Sequence, residues 1–319
     1  DVGVALFVVA SVFLIDSAFA QIRPEPPEFK NFPQDKTHLS IRYGYALLAE
    51  TPTYIGPQGK SGRYAGNKMA CANCHLDVGA RPFGNSWLDA HSLYPQFRER
   101  EGKIQTLADR VNTCLKHNLD GKPLPVDGDE MRAILLYYKW LGRGRPVLDG
   151  DNNQRLPALE FMPGPADPEK GKTVYENNCM SCHGSDGAGR MAKDDQNYEF
   201  PPLWGKGSFS TGTSMSRLTI LARFVKANMP YEAKVKLSDE EAWNVSAYVL
   251  AQSRPPYKGK SPFPSIESKP FDYPIGPYAD PFPAKQHMLG PFKPIMDLWI
   301  SIHGEKAARC RFQRCCGCC

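Results

Sequence analysis

The apolar positions fall into helix-period stretches that come in two copies of one order. In the second half, Asp167-Pro168-Glu169 opens a stretch through Lys170 and Asn178 that runs straight into Cys179. An acidic cap followed by proline is a helix-start signal. A Gly-rich loop from Gly184 to Gly189 follows, then Phe200-Pro-Pro-Leu203 and Asn228-Met229-Pro230. Ser238-Asp-Glu-Glu241 has the spacing of a capping box and opens a last helix through Trp243, Val245, Tyr248 and Val249. The first half repeats the order. A helix from about Leu39 to Leu48 carries Gly44 where the later one carries Gly171, and a Gly-rich insertion, Gly56 to Gly66, precedes Cys71. A final helix runs from Asp129-Glu130 through Ile134, Leu135, Tyr138 and Trp140 to Leu141, where Gly142 and Gly144 stop it. The pattern predicts a mainly α chain with two helical domains, 21–148 and 168–253. A Pro/Asn/Asp-rich linker, 149–167, joins them, and a Pro- and aromatic-rich stretch, 254–309, with little periodicity is expected to wrap over the body as an extended segment.

Composition narrows the class. The 319 residues are enough for two ordinary domains, and 41% hydrophobic with 23% charged residues is ordinary for a globular protein. The net charge of +5 is spread among acids, without the dense basic patch that nucleic-acid binding needs. The apolar run Val2 to Leu14 followed by Ser17-Ala18-Phe19-Ala20 reads as a signal peptide over 1–20, cut before Gln21. The run is short for a spanning helix, so the expectation is a periplasmic mature form without a stable membrane span. Of ten cysteines, five lie in the body and five crowd 310–319. That tail fits no structural pattern and is read as a non-native addition, rather than a metal-binding or lipidated terminus.

Four of the five body cysteines form two CxxCH motifs, Cys71/Cys74/His75 and Cys179/Cys182/His183. Such a motif attaches haem through two thioethers and supplies the proximal histidine to iron. Zinc would require further Cys/His ligands at short spacing, which the body lacks. The expected cofactors are therefore two covalently bound haem c groups in two cytochrome c-like domains. For the second iron, Met229 is the candidate sixth ligand because it stands before the final helix. Met191 and Met215 are rivals, and Lys226 and Lys234 are remoter ones. For the first iron the corresponding region holds Cys114, the odd body cysteine. A thiolate there would be both ligand and nucleophile; His91 and His117 compete with it. Gln96, Arg98, Arg100, Arg110, Asn112, Lys116, Asn118 and Lys122 gather around Cys114 in sequence. They form either a solvated helix face or a pocket for a small dianion, since Arg forks match tetrahedral oxyanions.

The stretches Cys71-Ala-Asn-Cys-His-Leu, Tyr94-Pro-Gln-Phe-Arg-Glu-Arg-Glu101, Arg110-Val-Asn-Thr-Cys114, Asn118-Leu-Asp-Gly-Lys-Pro-Leu-Pro125, Met131-Arg-Ala, Tyr138-Lys-Trp-Leu141 and Asn228-Met-Pro230 resemble the di-haem thiosulfate dehydrogenase/tetrathionate reductase family. The resemblance covers about 40–255. It implies His75/Cys114 ligation at an active-site haem, His183/Met229 at an electron-transfer haem, and Arg100 and Arg110 in the substrate pocket; Gln96 and Asn118 are carried as further pocket candidates. The implied reaction couples two thiosulfate to tetrathionate, with electrons passing to a cytochrome or similar acceptor. Some members have Lys where this chain has Asn228, and some have Ser where it has Asn118. Two other functions compete: a non-catalytic electron-transfer cytochrome, and an enzyme that loads thiosulfate onto a sulfur-carrier protein.

Overall fold

The computed structural model describes residues 26–304 except 99, 146–155, 194 and 260–262. The expected signal peptide, the Cys-rich tail and most of the linker lie outside the described residues.

The first repeat is built on α1 (Lys36–Ala49), α2 (Leu107–His117) and α3 (Asp129–Leu141). Asp35 caps α1 by accepting from the His38 amide at 2.9 Å, and Thr106 with Asp109 forms a capping box on α2. The second is built on α4 (Pro168–Asn178), α5 (Leu218–Asn228) and α6 (Asp239–Ala251). Asp167 caps α4, and the box Ser238/Glu241 caps α6 as its spacing predicts. Two short antiparallel hairpins complete the body: β1 (Gln96–Arg98) with β2 (Lys103–Gln105), and β3 (Arg190–Met191) with β4 (Tyr198–Phe200).

One glycine per repeat sets the helix crossing. A Cβ on Gly44 of α1 would stand 2.1 Å from the Ala133 carbonyl oxygen of α3, and one on Gly171 of α4 would stand 1.9 Å from that of Asn244 in α6. The first and last helices of each repeat thus touch backbone to backbone, and no other residue fits. Gly171→Ala should destabilise the protein by about 1–3 kcal/mol, the usual cost of overpacking. Denaturant unfolding checks this, and an unchanged midpoint would show that the helices can part freely.

A single apolar cluster runs through both repeats, joining Leu47, Leu48, Ile134 and Tyr137 to Tyr175, Ile220, Leu221 and Val245. A smaller cluster, with Trp243, Phe271, Phe292 and Ile295, fastens the C-terminal stretch to α5 and α6. The extension is not merely extended, because α7 (Ala284–Leu289) and α8 (Lys293–His303) form within it. Asp272 anchors it through a buried ion pair with Arg217 at 2.6 Å and by accepting from the Thr219 hydroxyl. Among the described residues no helix is long and apolar enough to cross a membrane.

Candidate functional site

The first CxxCH motif opens on a cavity walled by Leu47, Leu48, Ile55, Val111, Leu124 and Ile134, with Cys71, Cys74 and His75 among its lining residues. His75 is buried, stacks on Trp87 at 4.3 Å between ring centroids, and donates from Nδ1 to the Asn85 carbonyl at 2.5 Å. Burial holds its pKa down to about 4. The ring is therefore neutral, the form that ligates a metal, and its orientation is fixed by a backbone acceptor. Two thiols, a preset neutral imidazole and an apolar slot are the donor set and environment that a covalently attached haem requires.

Cys114 also lines this cavity, together with Asn118. It sits on a helix, α2, the one that precedes α3 in the chain. The four-residue spacing of Arg110, Cys114 and Asn118 puts all three on one face of α2 and its cap. In this structure Cys114 is disulfide-bonded. An iron-binding thiolate is the reduced form. Of the competing ligands, His91 is exposed. His117 accepts from Arg100 Nη2 at its Nδ1 (2.5 Å) and meets the Tyr257 hydroxyl at its Nε2 (3.4 Å), so both ring nitrogens are engaged within the protein.

The predicted arginines are not among the residues that line the cavity. Arg110 is 4% exposed, and its charge acts on His75, Arg100 and His117 alike. Burial and then the Arg110 charge bring the Arg100 guanidinium down to about 10. Burial, with Arg100 the nearest cation, holds His117 near 3, so it stays neutral and can accept from Arg100. Arg100 also donates to the Gly212 carbonyl. This places the two guanidinium groups in one desolvated region beside the first motif, an arrangement that favours an anion. Gln96 stands on β1 opposite Gln105 and does not line the cavity. Thr213 and Met215, from the second repeat, do line it. No local motif signals this, because a loop of the other repeat carries them in.

The second motif is arranged like the first. His183 donates from Nδ1 to the Pro201 carbonyl at 2.8 Å, and burial lowers its pKa. Burial pushes the Cys179 thiol up to about 11. Met229 follows α5 directly in extended backbone and packs, partly buried, on the same cluster as Cys179 and Leu203. Of its rivals, Met215 belongs to the first cavity. Lys226 is tied to Asp239 at 2.6 Å and to the Leu237 carbonyl at 2.8 Å, and Lys234 is exposed. Met229→Gly should abolish the near-infrared thioether band of a Met-ligated ferric haem and lower the potential of that haem. An unchanged spectrum would move the assignment to Met191 or another group.

Two family profiles match the chain: the SoxA/TsdA cytochrome c domain over residues 62–147, and cytochrome c oxidase, cbb3-type, subunit III over 166–249. The chain is 34% identical over 231 residues to a thiosulfate dehydrogenase of Stutzerimonas stutzeri, covering 72% of this chain and 73% of that one. It is 36% identical over 220 residues to one of Allochromatium vinosum, covering 68% and 78%. Among solved structures it is similar to the thiosulfate dehydrogenase TsdBA of Marichromatium purpuratum in its as-isolated form, with a TM-score of 0.67 and 31% identity over 78% of this chain. The chain spans about half of that structure's length, 53%. With the CxxCH sites in helical repeats and relatives of this similarity, the chain belongs to the thiosulfate dehydrogenase family, as an oxidoreductase whose cytochrome c domains hold covalently bound haem c.

Proposed function

We propose that this chain is a periplasmic di-haem enzyme that joins two thiosulfate ions into tetrathionate, runs the reverse reaction at the same site, and passes electrons to a cytochrome or similar redox protein. The observation that carries the reading is the placement of Cys114 on the wall of the cavity that also holds Cys71, Cys74 and His75, on one helix face with Arg110 and Asn118.

Bound haem c would supply one-electron acceptance: Cys71, Cys74 and His75 would hold one group, Cys179, Cys182 and His183 the other, and Cys114 and Met229 are the side chains that would complete their ligation. Everything else falls to the chain's own side chains. The Arg100 and Arg110 charges offset the repulsion between two dianions brought together in a desolvated site. Asn118 lines the cavity one turn beyond Cys114 and offers an amide to a sulfonate oxygen. The Cys114 thiolate takes up the sulfane sulfur of one thiosulfate, forming a cysteine S–S bond and giving up two electrons. The second thiosulfate attacks that sulfane sulfur; the bond to Cys114 breaks, the thiolate returns as leaving group, and tetrathionate departs. Two thiosulfate give one tetrathionate and two electrons, with no proton consumed.

The test is a steady-state assay of the reduced, haem-loaded protein with thiosulfate and an artificial acceptor, repeated with tetrathionate and an artificial donor. Turnover in both directions is expected. Electron transfer without thiosulfate turnover would favour a non-catalytic cytochrome. Turnover only with a protein cysteine as acceptor would favour a carrier-loading enzyme.

A further inference from the structure

The segment that carries Met229 is seated on the first repeat, against the loop that holds His75. Asn228 is 4% exposed, and its amide donates to the Phe83 carbonyl at 2.9 Å as well as to the Phe224 carbonyl of its own helix at 3.0 Å. On the other side of Met229, the Tyr231 hydroxyl donates to Asp77 Oδ1 at 2.5 Å. Arg81 lies over the Tyr231 ring at 4.3 Å and pairs with Glu232 at 3.4 Å and Asp77 at 2.8 Å. Met229 is thus held from both flanks by contacts to residues 77–83 of the other repeat.

The same loop fixes His75. The Asn85 carbonyl accepts from His75 Nδ1, and the Asn85 amide donates to the Cys74 carbonyl at 3.0 Å. Only Gly84 separates Asn85 from Phe83, whose carbonyl Asn228 holds. The backbone here is also costly. Five of the seven non-glycine residues with left-handed backbone among those described lie in this junction: Asp77, Val78, Phe83, Asn85 and Glu232. Left-handed β-branched and aromatic residues persist only where their surroundings determine them, so the loop is held in a single shape rather than free to drift.

We propose that Asn228 and its neighbour Tyr231 are positioning residues through which the first repeat's 77–85 loop sets the place of Met229, so that the axial bond of the second haem depends on the site of the first. The inference rests on the reading that Met229 is that ligand. Asn228 touches neither substrate nor iron; it acts through the backbone next to Met229. The lever is an amide shared between two carbonyls, which only a side chain of this length and chemistry supplies at a buried position. A weakened junction releases the methionine without breaking either haem attachment.

The experiment uses the full, haem-loaded chain and reads the near-infrared thioether band together with the potential of the second haem. The parent is compared with Met229→Gly, Asn228→Ala, Tyr231→Phe and Asp77→Asn; asparagine tolerates the left-handed backbone at position 77. Asn228→Ala is expected to raise the methionine-off fraction roughly fivefold or more, the scale of a kcal/mol or two lost, and to shift the potential downward. Tyr231→Phe and Asp77→Asn should move both readouts in the same direction, although Asp77 lies in the other repeat. If Asn228→Ala does not fold, these two variants carry the test. A band and potential unmoved in all three, while Met229→Gly abolishes the band, would overturn the inference and leave the ligand assignment standing. A band that survives Met229→Gly overturns the assignment itself and the inference with it.

Discussion

Cys114→Ser should retain the fold and both haem attachments and lose thiosulfate oxidation and tetrathionate reduction together. The side chain lines the cavity from α2 and is not fully buried, and serine is close to it in shape, so the expected effect on stability is small. The chemistry is another matter. A hydroxyl neither ionises near neutral pH nor exchanges with sulfur, so the adduct with the first thiosulfate cannot form. Because one transition state serves both directions, the loss is expected to be equal in each and of the order of 10³-fold or more, the scale seen when a covalent nucleophile is removed. Mass spectrometry should still show two haem additions, and the first haem's ferric spectrum should change from that of a low-spin thiolate-ligated centre. Normal turnover in Cys114→Ser would refute the covalent role and favour a plain electron carrier.

Arg110→Ala should cost about tenfold or more in kcat/KM for thiosulfate. Arg110 is buried, and its charge reaches His75, Arg100 and His117. A charge-assisted contact in such a place is worth roughly 1.5–3 kcal/mol, and tenfold corresponds to about 1.4 kcal/mol. The effect should be larger than for any exposed lysine near the site, because an exposed charge is screened by solvent and salt. A melting curve recorded alongside separates lost anion binding from lost folding. Unchanged kinetics with thiosulfate in both Arg110→Ala and Arg100→Ala would place the anion elsewhere.

Much of this architecture could be read from local chemistry. The caps at Asp167 and Ser238 act within one turn, so their helices start where the sequence says. Gly44 and Gly171 could be paired by eye because each marks a backbone crossing that tolerates no side chain. The attachment motifs are contiguous, and so equally plain. What could not be read depends on distant segments meeting. Asn85, which holds His75, belongs to a loop with no motif of its own, and Thr213 and Met215 reach the first cavity from the other repeat. Arg100 and Arg110 were legible as residues but not in their setting, since Gly212 and Tyr257, which complete the network with His117, lie more than a hundred residues away. The extension was misjudged for a different reason. Ile295, Leu298, Trp299 and Ile302 do have helical spacing, yet dense prolines around them masked a helix that tolerates Pro294 in its first turn.

The measurement that tests the central claim most directly is an anaerobic titration of the reduced-thiol, ferric-haem protein with thiosulfate and no other electron acceptor. Haem absorbance reports the electrons and ion chromatography reports the tetrathionate. If Cys114 and the arginines join two thiosulfate ions at the first haem, both haems take up one electron each and one tetrathionate appears per chain reduced, with Cys114→Ser giving neither. Haems that stay ferric in thiosulfate, yet reduce fully with dithionite, would contradict it.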